Sequence, residues 1–155
     1  MKNFLELIKN CLTDVQEIMP WDLDARLQAN PDLLIVDVRE PYEFEVMHIP
    51  GSISVPRGIL ESACEWEYEE TIPALVQARE REVVVVCRSG YRSVLAAHSL
   101  QVLGYRNVVS LKTGLRGWKD YEQPLVDRSG DAVDLDEADV YFSPRIRDDQ
   151  MRPNT

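Results

Sequence analysis

Two hydrophobic patterns alternate along the chain. Runs of mostly apolar, β-branched residues occur at 32–38, 83–86 and 105–111. Between them, apolar residues recur every three or four positions, as on one face of a helix. A strand without polar alternation is buried on both faces, as in a parallel sheet. The pattern therefore predicts an α/β fold, with an open parallel sheet and helices on both of its faces.

Shorter signals complete the predicted elements. Residues 15–19 alternate like a short strand, and a helix starts at Pro20 and ends before Asn30-Pro31. Further helices are predicted at 71–78 and at 94–103, the second of which is stopped by Gly104. Residues 13–124 hold all these strands and most of the helices, so we expect one compact domain there.

Both ends of the chain differ from this domain. Residues 1–12 place Phe4, Leu5, Ile8, Cys11 and Leu12 at helical spacing. They predict an amphipathic helix that packs on the domain's own core or on a second subunit, and the oligomeric state is left open. Residues 125–155 are rich in Asp and show little periodicity, which indicates an acidic, loosely ordered tail anchored at 140–142.

The stretch Val83–Ser93 carries the candidate chemistry. Cys87 follows the all-valine strand directly, where α/β sheets bind ligands and the next helix begins with free N–H groups. Gly90 allows the loop to turn back, and Arg88 and Arg92 add positive charge. Such surroundings lower a thiol pKa from about 8.5 to roughly 3.5–7.5. We therefore expect a readily ionised, nucleophilic Cys87, with a buried structural cysteine as the alternative.

Three motifs carry a family resemblance. The loop Cys87-Arg88-Ser89-Gly90-Tyr91-Arg92-Ser93 resembles the active-site loop of rhodanese-domain sulfurtransferases. Asp37-Val38-Arg39-Glu40, continuing to His48-Ile49-Pro50-Gly51-Ser52-Ile53, is similar to the family's first signature, and Thr113-Gly114-Leu115-Arg116-Gly117-Trp118 resembles its closing signature. The motifs come in the family's order and span 15–124. Met47 departs from the pattern, because it stands where the family usually has glycine.

The resemblance implies a rhodanese-like fold and a thiosulfate sulfurtransferase. Cys87 would take sulfane sulfur from thiosulfate or a persulfide, hold it as a cysteine persulfide, and pass it to cyanide, a thiol or a protein. The N–H groups from Arg88 to Arg92, which include Ser89, Gly90 and Tyr91, would stabilise the bound anionic sulfur, with Ser93 closing the loop. Arg88 would orient the donor's sulfonate, whereas Arg92 would either bind substrate or brace the loop. No cofactor or metal is implied.

Other charged residues have structural interpretations. Asp37 and Arg39 close the second predicted strand, with Glu43 four positions beyond Arg39, so we expect them to tie that strand end to the next helix. His48 is expected to satisfy the turn that follows it and to support the site structurally.

Two alternatives to the enzyme remain. A phosphatase or arsenate reductase of the related cell-cycle phosphatase kind also uses a Cys and an Arg in one loop. Its arginine lies six positions after the cysteine, whereas Arg92 lies five positions after Cys87. The other alternative is a sulfur-carrier or regulatory module without turnover, which hands sulfur to a protein partner.

Composition limits the kinds of partner and the cellular location that we expect for this chain. The net charge of −10 argues against nucleic acid, whose phosphates need a basic surface. No stretch of 18 apolar residues predicts a membrane span, and the first residues lack the apolar run of a secretory signal, so we expect a cytoplasmic protein. The cysteines at 11, 64 and 87 form neither a Cys-x-x-Cys pair nor a disulfide pattern.

The acidic segment 61–70 has two interpretations. Five glutamates without a basic residue normally form a solvated surface. Trp66 and Tyr68 could instead form a rim where an acceptor docks. Cys64 could receive sulfur from Cys87, although neighbouring carboxylates disfavour its thiolate.

Overall fold

Five parallel strands form one sheet in the computed structural model, which describes residues 1–153 of the chain. The strands are β1 (Glu17–Ile18), β2 (Leu34–Asp37), β3 (Ile53–Ser54), β4 (Val83–Val86) and β5 (Val108–Leu111). Their order across the sheet is β1-β5-β4-β2-β3, which places β4 at the centre. The predicted open parallel sheet is confirmed, and the strand that precedes Cys87 is its middle strand.

Helices and two short 3₁₀ turns connect the strands. The helices are α1 (Phe4–Cys11), α2 (Pro20–Ala29), α3 (Pro41–Val46), α4 (Leu60–Ala63), α5 (Pro73–Val76), α6 (Arg92–Val102), α7 (Gly114–Asp120) and α8 (Leu135–Phe142). The 3₁₀ turns are Arg57–Ile59 and Asp148–Gln150. Proline opens α2, α3 and α5, where its fixed φ suits the first helical turn and its missing N–H costs nothing. No described helix has the length and apolar character needed to span a bilayer.

The valines of β4 divide between two hydrophobic cores. Val83 and Val85 pack on one face of the sheet with residues of α1, α4, α5 and α6. Val84 and Val86 pack on the other face with residues of α2, α7 and α8. All four are fully buried, and burying each side chain stabilises the fold by about 1.5–3 kcal/mol. The prediction of helices on both faces is therefore confirmed.

The C-terminal segment is more ordered than its composition predicts. Asp134 caps α8 by accepting from the N–H of Asp136, and the helix buries Ala138 and Phe142 in the core. These two side chains lie four positions apart, on one face of the helix. Within the expected 140–142 anchor only Phe142 is buried, while Val140 is 64% exposed. The loosely ordered tail is thus corrected over 125–142, and the domain boundary at 124 remains a prediction.

The N-terminal helix is amphipathic as predicted. Asn3 forms a capping box with Glu6 at its start, and Ile8 packs in the core beside α6. Phe4 and Leu5 are about half exposed. Packing on the domain's own core accounts for Ile8, and a subunit contact through the exposed residues stays a prediction.

Candidate active site

The sulfur of Cys87 lies buried at the carboxyl end of β4, with only 1% of the residue exposed. Its Sγ accepts hydrogen bonds from the N–H groups of Gly90, at 3.1 Å, and Ser93, at 3.3 Å. The thiol in turn donates to Ser93 Oγ at 3.3 Å. The two backbone N–H groups and the Ser93 hydroxyl thus fix the position of this sulfur.

Further backbone donors surround this sulfur. Within residues 1–153, the N–H groups of Arg88, Ser89 and Tyr91 donate to no protein acceptor. These three residues line, together with Cys87, a cavity of about 320 Å³. The residues that line this cavity therefore include three whose backbone N–H groups have no protein acceptor.

Gly90 gives the loop its shape. Its φ of +95° lies in the left-handed region that side chains disfavour. A Cβ at this position would lie 2.9 Å from the nitrogen of Thr113 and 3.2 Å from the oxygen of Leu111. Both the turn and the close approach of the backbone after β5 require glycine here.

The segment Thr113–Trp118 is hydrogen-bonded to the Cys87 loop. Leu115 N–H donates to the carbonyl of Cys87 at 2.9 Å, and Arg116 N–H donates to that of Arg88 at 3.1 Å. Gly114, with φ of +60°, lets α7 come this close, because a Cβ there would collide with both carbonyls. The Cys87 loop and the first turn of α7 thus form one hydrogen-bonded unit.

A buried pair of hydroxyls supports the sulfur. Ser93 Oγ lies 2.8 Å from Ser110 Oγ, and both residues are fully buried. Ser110 comes from β5, the neighbour of β4 in the sheet. Ser110 was not among the predicted site residues. A single polar residue within a buried apolar strand is a signal that could have indicated it.

Arg92 is engaged by an acidic partner. Its two terminal nitrogens donate to Glu43 at 2.9 and 3.0 Å. Burial raises the pKa of Glu43. Hydrogen bonds from Arg92 and from the Glu40 N–H, together with the positive charges of Arg92 and Arg39, lower it by a larger amount, so the pKa of Glu43 lies below its ordinary value. This ion pair connects the start of α6 to α3.

Asp37 and Arg39 form a second, fully buried ion pair. Arg39 donates to Asp37 through Nε, at 3.0 Å, and through Nη2, at 2.8 Å. Nη2 also donates to the carbonyl of Met47 at 2.7 Å. Met47 replaces the family's glycine without strain, because its φ of −164° is extended backbone. Among the described residues, Arg39 Nη1 has no hydrogen-bond partner.

Arg88 turns toward the C-terminal segment. Its Nη2 donates to the carbonyls of Phe142, at 3.0 Å, and Ser143, at 3.2 Å, at the end of α8. No sequence pattern predicts this contact, because its partners lie more than 50 positions apart. Arg88 lines the Cys87 cavity and also a larger cavity that lies against α8.

Phe4, from α1, lies at the Cys87 cavity. Its ring meets the ring of Tyr91 edge to face, with centroids 5.7 Å apart. Phe4 and Tyr91 line the same cavity as Cys87. The amphipathic pattern of 1–12 predicted a helix, but it did not place this side chain at the site.

The comparisons with known proteins agree with this geometry. Residues 20–121 match the family described as Rhodanese-like domain. The matched range contains β2, the Cys87 loop and α7. The chain belongs to the rhodanese-like domain family.

Several relatives of this chain are described as sulfurtransferases. A sulfurtransferase of Allochromatium vinosum is 33% identical over 116 residues, which cover 75% of this chain and 99% of that protein. Other relatives are longer, and the chain spans 52% of one from Bacillus subtilis. The similarity to the Allochromatium protein thus extends over nearly its full length.

Solved structures share the rhodanese fold. The human single-domain sulfurtransferase TSTD1 aligns with a TM-score of 0.58 at 28% identity, covering 68% of this chain and 96% of that one. A protein of unknown function from Rhodopseudomonas palustris, described as a possible tyrosine phosphatase, aligns with a TM-score of 0.72 at 28% identity, covering 80% of this chain and 94% of that one. The predicted rhodanese-like fold is confirmed.

Other candidate residues of this chain do not line the Cys87 cavity. His48 exchanges backbone hydrogen bonds with Val126, and its Nδ1 lies 2.8 Å from the carbonyl of Phe44, in a separate cavity. Cys64 is fully buried, and burial raises the pKa of its thiol. Trp66 and Tyr68 are exposed and line none of the cavities that Arg88 or Cys87 border. None of these four residues lines the Cys87 cavity.

Proposed function

We propose that this protein is a thiosulfate sulfurtransferase that works through a Cys87 persulfide. The observation that carries the proposal is the buried Sγ of Cys87, on which the N–H groups of Gly90 and Ser93 converge. A thiolate held in this way is a nucleophile whose position is fixed before the donor arrives. The cytoplasm is the compartment we propose, because a reducing environment keeps this thiol free.

The reaction has two steps. In the first, the Cys87 thiolate attacks the outer sulfur of thiosulfate, forming a new S–S bond while the old one breaks and sulfite leaves with the electron pair. In the second, a nucleophilic acceptor attacks the outer sulfur of the persulfide. Cyanide then leaves as thiocyanate, or a thiolate leaves as a persulfide, and the Cys87 thiolate is restored.

The loop lowers the energy of the charge that moves during these steps. Negative charge passes to the outer sulfur, which would lie beyond Sγ in the cavity lined by Arg88, Ser89 and Tyr91. Their unpaired N–H groups are suited to bind it, and preorganised donors of this kind are worth about 3–4 kcal/mol each in other enzymes. Arg88 would hold the sulfonate, and Arg92, occupied by Glu43, would brace the loop.

Intact-mass measurement tests the proposal. Incubation with thiosulfate should add one sulfur atom to the protein, and cyanide should remove it with formation of thiocyanate. Cys87→Ser should lose both events, while Cys11→Ser and Cys64→Ser keep them. Sulfur transfer that survives in Cys87→Ser would overturn the mechanism. Loading without repeated turnover would favour the sulfur-carrier alternative.

Phosphate chemistry is the second candidate. The observation in its favour is the similarity to the Rhodopseudomonas palustris protein described as a possible tyrosine phosphatase. The shorter Cys87–Arg92 spacing argues against it, because a smaller ring of N–H groups suits one sulfur atom better than a tetrahedral phosphate. Hydrolysis of aryl phosphates by the pure protein, lost in Cys87→Ser and without any persulfide, would establish this alternative.

A further inference from the structure

A cavity beside the Cys87 loop gathers three arginines. It has a volume of about 640 Å³ and is lined by Arg88, Arg116 and Arg145, with Tyr42, Tyr141 and Glu43 among the other lining residues. We call it the arginine cavity. The three guanidinium groups come from the catalytic loop, from α7 and from the segment after α8. Their grouping contrasts with the net charge of −10 of the whole chain.

The positive charge of the arginine cavity is not neutralised within it. Glu43 is its one acid among the lining residues, and both of its oxygens already bind Arg92. Over the described part of the chain, none of the three arginines forms an ion pair with a carboxylate. Like charges repel, so an anion in this cavity would relieve their repulsion.

Structural contacts use only part of these arginines. Arg88 gives Nη2 to the carbonyls of Phe142 and Ser143, and Arg145 gives Nη2 to that of Val140, at 3.3 Å. Both contacts satisfy the end of α8, where cations are favoured. A guanidinium has five N–H donors, so most of them remain for a ligand. Arg116 forms no side-chain hydrogen bond within residues 1–153.

The arginine cavity adjoins the nucleophile. Arg88 lines both this cavity and the Cys87 cavity, so one molecule could reach both. The volume lies within the range of small-molecule sites, about 300–1,000 Å³. Tyr141 and Arg145 lie outside the 20–121 range of the family match, so this wall is a feature of the chain's own C-terminal segment.

We propose that the arginine cavity binds the carboxylates of a low-molecular-weight thiol that accepts sulfur from Cys87. The inference rests on the proposed sulfurtransferase function and names its acceptor class. The thiolate attacks the outer sulfur of the Cys87 persulfide, the S–S bond to Sγ breaks, and the acceptor leaves as a persulfide while the Cys87 thiolate is restored. Arginine binds a carboxylate through two parallel hydrogen bonds. Such bonds would fix the position of the acceptor thiol relative to the Cys87 persulfide.

The test compares thiols that differ in carboxylate number. Transfer from persulfide-loaded, full-length protein is measured with mercaptosuccinate, which has two carboxylates, and with 2-mercaptoethanol, which has none. The readout is kcat/KM for mercaptosuccinate divided by kcat/KM for 2-mercaptoethanol. The two thiols differ in intrinsic reactivity, but this difference is the same for every variant, so a change in the ratio reports on binding of the carboxylates. We expect Arg145→Gln to lower this ratio about tenfold, which corresponds to about 1.4 kcal/mol.

A neighbouring arginine provides the matched control. Arg147 lies in the same segment, pairs with Asp149 at the surface and does not line the arginine cavity. Arg147→Gln should keep the wild-type ratio. An equal ratio in wild type, Arg145→Gln and Arg147→Gln would overturn the inference.

Competition separates the possible anions. Succinate, which has no thiol, should inhibit transfer to mercaptosuccinate in wild type and inhibit Arg145→Gln more weakly. Stronger inhibition by inorganic phosphate than by succinate would overturn the carboxylate assignment. A failure of the sulfurtransferase function itself would be recognised earlier, because thiosulfate would then add no sulfur to Cys87.

Discussion

The guanidinium of Arg92 and the carboxylate of Glu43 face each other with two hydrogen bonds, of 2.9 and 3.0 Å. They lie 49 positions apart in the sequence, and their contact joins the end of the catalytic loop to α3. An arginine occupied in this way braces the loop, and this geometry favours bracing over substrate binding for Arg92.

The first prediction is a pH dependence of stability in Glu43→Gln. Folding lowers the pKa of Glu43 below its ordinary value of 4.5, so the ionised carboxylate stabilises the native state. That contribution is fully present above about pH 4.5 and is lost as the pH falls through the lower folded pKa. Glu43→Gln should therefore have a reduced free energy of unfolding at pH 7, and the deficit should shrink toward pH 3.

Urea unfolding at several pH values measures this effect. Glu45, exposed on the same helix, is the matched position, and Glu45→Gln should change stability at pH 7 by no more than about 0.5 kcal/mol. A deficit in Glu43→Gln that stays constant down to pH 3 would contradict the ion-pair explanation.

The second prediction concerns Arg88 and the charge of the donor. Arg88→Ala should lower kcat/KM for thiosulfate about tenfold to a hundredfold, since a hydrogen bond to a charged group contributes about 1.5–3 kcal/mol. Transfer from an uncharged donor such as dimethyl trisulfide should decrease less. Arg106→Ala, at an exposed site, serves as control. Equal losses with both donors would mean that Arg88 shapes the loop and does not bind the sulfonate.

The third prediction concerns the contact of α7 with the catalytic loop. A Cβ in Gly114→Ala would collide with the carbonyl oxygens of Cys87 and Arg88, so the loop must shift. A shift of about 1 Å can slow catalysis about a hundredfold, and overpacking should lower the free energy of unfolding by about 1–3 kcal/mol. Gly58 has open space around it, so Gly58→Ala should keep both rate and stability. Wild-type kinetics in Gly114→Ala would refute this explanation.

The fourth prediction addresses the buried Asp37–Arg39 pair. Asp37→Ala leaves the Arg39 charge without its partner in the core, which should cost about 3–5 kcal/mol in a urea unfolding experiment. Replacing both residues, with Asp37→Leu and Arg39→Met, removes both charges and should cost less than the single change. If the double variant is the less stable one, the cost does not come from an unpaired charge.

Local patterns were sufficient for four of the five described strands and for the position of Cys87. Burial on both faces leaves a run such as Val83–Val86 without polar residues, and the change to helical spacing after it fixes the strand end. The short elements β3 and α4 were not predicted, whereas β1 and α5, which are equally short, were predicted from the longer patterns around them. The helix α8 escaped because its acidic residues concealed the two apolar positions that it buries.

Contacts between distant segments could not be derived from the sequence. Ser110 reaches Ser93 only because β5 pairs with β4, and Arg145 lines a cavity with Arg88 only because α8 packs on the sheet. Each depends on the three-dimensional arrangement and has no periodic signal. The position of Cys87 at a strand end could be predicted from its strand, whereas most of the residues around it could not.

The division of the β4 valines between two cores has a consequence for heating. Cys87 follows a strand whose side chains pack in both cores, and its loop is hydrogen-bonded to α7. We therefore expect the site to unfold together with the rest of the domain. Sulfur-transfer activity and secondary structure should then be lost with the same midpoint temperature. The thermal inactivation of this protein would report the cooperative unfolding of its whole fold.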